Sequence, residues 1–124
     1  MADRHLYIVF GNPASPEQDA EFNEWYEGTH VPDVLAHVPG VVSAQRFKHK
    51  QLDSDAGKPV KFSYVTVYEI EGDPNEVMAK IGAGVASGEI RMAGAPFDAA
   101  RMSMAFWTPI SEKAEKAEKA EKAE

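Results

Sequence analysis

Four stretches of the chain carry the short apolar or alternating pattern of strands, and two carry the spacing of helices. His5 to Phe10 is a brief run of β-formers stopped by Gly11-Asn12-Pro13. Val41 to His49 follows the Pro39-Gly40 turn, Phe62 to Ile70 alternates and is strongly β, and Met102 to Trp107 is the last such run. Between them, Ser15-Pro16-Glu17-Gln18 predicts a helix start: a serine cap, a proline at the first helical position and a glutamine completing a capping box. Asp73-Pro74-Asn75-Glu76 repeats that chemistry with an aspartate cap. It opens a helix whose Val77, Met78, Ile81 and Val85 share one side, while Gly82, Gly84 and Gly88 weaken its end. Gln51 to Lys61 is polar and reads as an exposed hairpin loop, and Gly88 to Ala100 as an irregular segment.

The order β-α-β-β-α-β predicts an α+β, ferredoxin-like domain over residues 1–110: a four-stranded antiparallel sheet with both helices on one face. The other face is then bare. Both faces of the third strand are apolar or aromatic, with Val65 and Val67 set against Phe62, Tyr64 and Tyr68. A bare apolar face of that size is a liability on a monomer, and a symmetric homodimer closing two sheets over a shared interior removes it. A cavity is expected inside that shared interior. Its predicted lining is the more polar strand face, Tyr64, Thr66 and Tyr68, with Val65 and Val67 turned to the helices.

Residues 111–124 form a Glu/Lys/Ala repeat with no apolar stripe to dock. Glu112 and Lys116 begin a series of i, i+4 pairs, each worth about 0.2–0.5 kcal/mol, so a solvated, partly helical extension is expected. The net charge of −7 disfavours nucleic acid as a partner. No apolar run reaches the roughly 20 residues of a membrane helix, so no membrane association is expected. The N-terminal apolar stretch is too brief for a secretory leader, and with no cysteine in the sequence a cytoplasmic location is expected. Phosphate-binding glycine loops, nucleophile elbows and HExxH motifs are absent from the sequence. No metal and no cofactor are expected.

Chemistry concentrates in Glu21 to Gly40. Phe22, Trp25, Tyr26, Thr29 and His30 fall at i, i+3, i+4, i+7 and i+8, one helical stripe, while Glu21, Glu24 and Glu27 lie outside it. His30 therefore belongs to the buried side, near a helix end that Pro32 imposes at Val31, with a second short helical turn from Asp33 to Val38. A neutral imidazole in an aromatic setting suits a general base, with Asp33 as its orienter; a satisfied, inert core histidine is the competing reading. Trp25 and Tyr26 reach the pocket edge or pack on the sheet. Tyr64 and Tyr68 offer hydroxyls to a developing oxyanion, and Trp107 offers an aromatic wall.

The run EFNEWYEGTHVPDVLAHVPGVVSAQRF resembles the EthD-like branch of the dimeric α+β barrel proteins. The resemblance rests on Trp25, Tyr26, His30, Pro32, Asp33, Pro39 and Gly40. It implies the ferredoxin-like barrel, a homodimer, and a histidine at position 30 projecting into the pocket. Read with the residues, it gives a cofactor-free lyase, isomerase or cyclase acting on a small aromatic, polyketide-like or carbonyl substrate. His30 and Asp33 would be catalytic, and Trp25, Tyr26, Tyr64, Tyr68 and Trp107 would bind substrate. The alternatives are a non-catalytic hydrophobic-ligand-binding protein and a cofactorless monooxygenase.

Overall fold

The computed structural model describes residues 4–117. Strand β1 (Arg4–Gly11) leads through a single 3-10 turn at Pro16–Gln18 into a long helical arm. The arm consists of α1 (Asp19–Trp25), a π-turn (Tyr26–His30) and α2 (Val31–His37). Strands β2 (Val41–Lys48) and β3 (Tyr64–Glu71) follow, then α3 (Pro74–Ser87) and β4 (Ser103–Trp107). The sheet order is β2-β3-β1-β4, with every neighbouring pair antiparallel. This is the ferredoxin-like α+β topology that the element order predicts. Among the described residues, no helix is long and apolar enough to cross a membrane.

The helix starts differ in how closely they follow expectation. Asp73 caps α3 as predicted, its carboxylate accepting from the Asn75 N–H at 2.9 Å. Ser15 does not cap. Its hydroxyl donates to Gln18 Oε1 at 2.9 Å, so the two side chains of the expected capping box satisfy each other instead of the backbone. Pro32 does not break the helix either: Val31 is helical at φ −62° and ψ −45°. The chain accommodates a proline lacking an N–H by widening the preceding turn. Val31 N–H bonds to Tyr26 O, five residues back, and the helix continues.

The glycines of α3 do not end it early. The helix runs through Gly82 and Gly84 and stops at Gly88, which takes the left-handed φ of 88° that favours glycine there. Gly84 is explained by packing: a Cβ at that position would lie 2.7 Å from Ile90 Cδ1, and Ile90 is fully buried. Gly84→Ala is therefore expected to lose more by overpacking than the ~1 kcal/mol that alanine gains in a helix. Gly82→Ala, where a Cβ meets nothing within 4 Å, should stabilise. Paired thermal melts check this, and a Gly84→Ala protein that melts above wild type would refute it.

Strand alternation sorts residues as expected, but the sides are reversed. Tyr64, Thr66, Tyr68 and Ile70 are all buried. They lie on the helix-covered face with Tyr7 and Val9 of β1; Tyr68 and Ile70 form the core with Val34, Val38 and Val77, and Tyr64 packs with Phe22 and Tyr26. Val65 and Val67 lie on the open face, in register with Phe10 and Ile8. Phe47 and Trp107 join them there, opposite Val65 and Leu6. The expected assignment of Val65 and Val67 to the helices is thus corrected: period two groups side chains but does not say which group the helices cover. In the repeat segment, Ser111 to Ala117 forms no helix. A few i, i+4 pairs do not overcome the cost of nucleating an undocked helix. The remainder of the expected extension, 118–124, lies outside the described residues.

Candidate active site

A cavity of about 140 Å³ lies between the sheet and the helices of a single chain. It is lined by Tyr7, Val9 and Tyr68 from the sheet, by Trp25, Tyr26, His30 and Val34 from the helical arm, and by Met78, Ile81 and Val85 from α3. Met92, Phe97, Met102 and Met104 close it. This pocket is walled by one chain's own sheet and helices, whereas the expected hollow lay between two subunits. Its lining is nearly all apolar, and every methionine of the sequence except Met1 is part of it. Thioethers on flexible stems adapt to flat, polarisable ligands.

His30 lines this cavity, as the helical stripe predicts, but the local geometry is one that the α-helical period does not give. In an α-helix, residues five apart point about 140° away from each other. The π-turn brings them into line, so the Trp25 and His30 rings stack at 4.8 Å with 20° between their planes. Trp25 also stacks on Phe97 at 5.8 Å and 13°, and Tyr26 meets His30 edge-on at 5.3 Å. Phe97 is held in turn by a bridge between Pro13 and Phe97 and by the Asp98 N–H donating to Asn12 O at 3.0 Å. Among the described residues the imidazole is thus positioned by stacking and not by hydrogen bonds.

His30 Nδ1 is buried and has no hydrogen-bond partner among the described residues. No partner there fixes the tautomer, and the ring is not committed to an internal acceptor. Burial among aromatics disfavours the charged ring and lowers its pKa from 6.5 to about 4, against a smaller opposing pull from the charge of Asp33. The ring is therefore neutral at physiological pH.

Asp33 does not orient it. Arg91, 58 residues further on, takes both carboxylate oxygens: Nε and the backbone N–H donate to Oδ2, each at 2.9 Å, and Nη2 donates to Oδ1 at 2.8 Å. Those hydrogen bonds hold the Asp33 pKa down to about 2. The pair ties the irregular segment, with Met92 and Phe97, to α2. Tyr64 is also away from the cavity. Its hydroxyl donates to Asp19 Oδ1 at 2.7 Å and accepts from Asn23 Nδ2 at 3.1 Å. Trp107 is 56% exposed on the open sheet face, so it is no wall of this pocket. Of the residues expected at the site, the structure brings together His30, Trp25, Tyr26 and Tyr68. Arg46, buried over the Tyr26 ring at 4.5 Å, pairs with Glu27 at 3.0 Å, outside the cavity lining.

Tyr7 is a cavity residue that sequence reasoning missed. Its place on the pocket face follows from alternation along β1, with Tyr7 and Val9 on one side and Leu6, Ile8 and Phe10 on the other. Burial raises the pKa values of Tyr7, Tyr26 and Tyr68, so all three are neutral hydroxyls. Among the described residues, no group of three or more His, Cys, Asp or Glu could hold a metal ion.

Fold and cavity together define a ferredoxin-like α+β protein with an aromatic and methionine-lined cavity around one neutral histidine. No protein-family model matches the sequence, and no curated protein matches it. Solved structures do resemble it in fold. One is an EthD family protein from Bacillus halodurans C-125, 17% identical, covering 86% of this chain and 98% of its own, with a TM-score of 0.56. Another is a dimeric ferredoxin-like protein of unknown function from Jannaschia sp. CCS1, 12% identical, covering 86% and 99%, with a TM-score of 0.53. A third is the monooxygenase from the gene ActVA-Orf6 of Streptomyces coelicolor, in complex with nanaomycin D. It is 20% identical, covers 93% of this chain and 94% of its own, and has a TM-score of 0.55. The ferredoxin-like fold that the resemblance implies is therefore the fold found.

Proposed function

We propose that the protein is a cofactor-free oxygenase in which His30 removes a proton from a small, largely apolar aromatic substrate bearing a phenol or an enolisable carbonyl. The observation that carries this reading is the neutral imidazole, with no hydrogen-bond partner at Nδ1 among the described residues, in an otherwise apolar cavity. An imidazolium with a pKa near 4 belongs to a weak base. Such a base selects substrates whose anion is stabilised by a ring or carbonyl. The anion passes its electrons to dioxygen, a C–O bond forms, and the imidazolium returns its proton to the resulting peroxide. Loss of water then leaves a carbonyl. What favours this oxygen-consuming outcome over the lyase, isomerase or cyclase outcome of the same anion is the likeness in fold to a monooxygenase.

The test is an oxygen electrode with a panel of enolisable aryl ketones and hydroquinones, followed by mass analysis of the products. The expected result is oxygen uptake together with a product that gains one oxygen and loses two hydrogens. A rearranged product without oxygen uptake would replace the oxygenase reading with the isomerase or cyclase one. Binding with recovery of unaltered compound would leave a ligand-binding protein.

The working form in this reading is a homodimer. The open sheet face carries Leu6, Ile8, Phe10, Phe47, Val67 and Trp107, and Phe10, Phe47 and Trp107 are all exposed in the single chain. A second copy of the same face is the self-complementary cover for such a surface, and one solved structure of like fold is described as dimeric.

A further inference from the structure

The aromatic ladder across the sheet fixes one hydroxyl of the cavity in place. Tyr7 lies opposite Tyr68 on β3 and opposite Phe106 on β4, and its ring stacks on both, at 5.7 Å and 4.5 Å. Clamped on both sides, the ring has little freedom to turn, and its hydroxyl donates to the sulfur of Met104 at 3.1 Å. A thioether is a weak acceptor, and Met104 is a flexible, exposed side chain on the cavity wall. A strong donor resting on a weak, movable acceptor is poised to exchange it for a better one.

We infer that Tyr7 is the residue that binds the carbonyl or phenolic oxygen of the ligand, with Met104 sulfur as the placeholder it gives up when ligand enters. This rests on the reading of the cavity as a small-molecule site. It assigns the ligand class more closely: an aromatic ring of a size that suits about 140 Å³, with an oxygen acceptor directed to β1 and away from α3. An engineered apolar cavity of about 150 Å³ takes benzene, which sets the scale at one ring.

Acetophenone and ethylbenzene make a suitable probe pair, since they share a ring and chain length and differ in one carbonyl oxygen. Binding is read from titrations of the methionine methyl resonances, because four of the five methionines line the cavity. Tyr7→Phe is expected to weaken acetophenone about fivefold, the effect of one lost hydrogen bond, and to leave ethylbenzene within twofold. Met104→Leu removes the placeholder and should tighten acetophenone about twofold or more relative to ethylbenzene; this arm decides the matter if Tyr7→Phe fails to fold. If both probes bind wild type and neither substitution separates them, the role of Tyr7 is overturned while the cavity stands as a binding site. If neither probe binds wild type, the small-molecule reading fails, and the role of Tyr7 fails with it.

Discussion

His30→Ala is expected to keep the fold and to lower turnover by about 10²–10⁴-fold, the usual contribution of a positioned general base. The fold should survive because the ring makes no hydrogen bond through Nδ1 to the described residues and is held by stacking on Trp25. The pH profile gives a sharper readout. With its pKa held near 4 by burial, the wild-type base form persists well below neutrality, and activity should fall only as pH approaches 4. The same shift couples to stability. The ring binds no proton in the folded chain between pH 4 and 6.5, but it does bind one in the unfolded chain. The stabilisation is therefore complete above 6.5 and is lost as pH falls from 6.5 toward 4. His30→Ala should flatten that part of the melting-temperature curve. A variant with wild-type turnover on an authentic substrate would remove His30 from the chemistry.

The inward direction of His30 was legible because five aromatic or polar side chains fall on one helical stripe. What holds the ring was not, because the 3.6-residue period assumes an unbroken α-helix. Pro32 was the available signal. Local rules for proline predict a helix break, whereas the chain absorbs the proline by widening one turn, and that turn stacks Trp25 on His30. Asp33 sat at a suggestive spacing, but its partner is Arg91, and no local pattern announces a contact across 58 residues.

Alternation along β3 grouped Tyr64, Thr66 and Tyr68 correctly. It does not tell the covered face from the open one. Tyr64 and Tyr68 share a face yet serve different surroundings. Tyr64 faces the start of α1 and reaches Asp19, while Tyr68 sits behind Tyr7 on the cavity side. Along a strand, four residues are about 13 Å, enough to separate a core contact from a pocket contact. The methionines carry a signal that composition alone does not weigh: the four that follow Met1 are scattered over α3, the connection from α3 to β4, and β4, and converge on one cavity.

Val67→Glu is expected to convert a dimer into a monomer without unfolding the chain. Val67 is central on the open face, with Ile8 opposite on β1 and Gln45 opposite on β2. In a single chain a carboxylate there points to water and costs little. Between two apposed sheets it would be a buried charge beside apolar side chains, which costs several kcal/mol and exceeds what most interfaces of this kind tolerate. Light scattering should give twice 13.6 kDa for wild type and 13.6 kDa for the variant, with unchanged circular dichroism. A wild-type chain at 13.6 kDa would refute the dimer. Because the cavity is walled by one chain's own helices, the monomeric variant should still bind acetophenone within about twofold of wild type. A dimer-dependent affinity would instead mean that pairing of the open faces reaches through the sheet to Tyr7 and Tyr68, whose backbones both faces share.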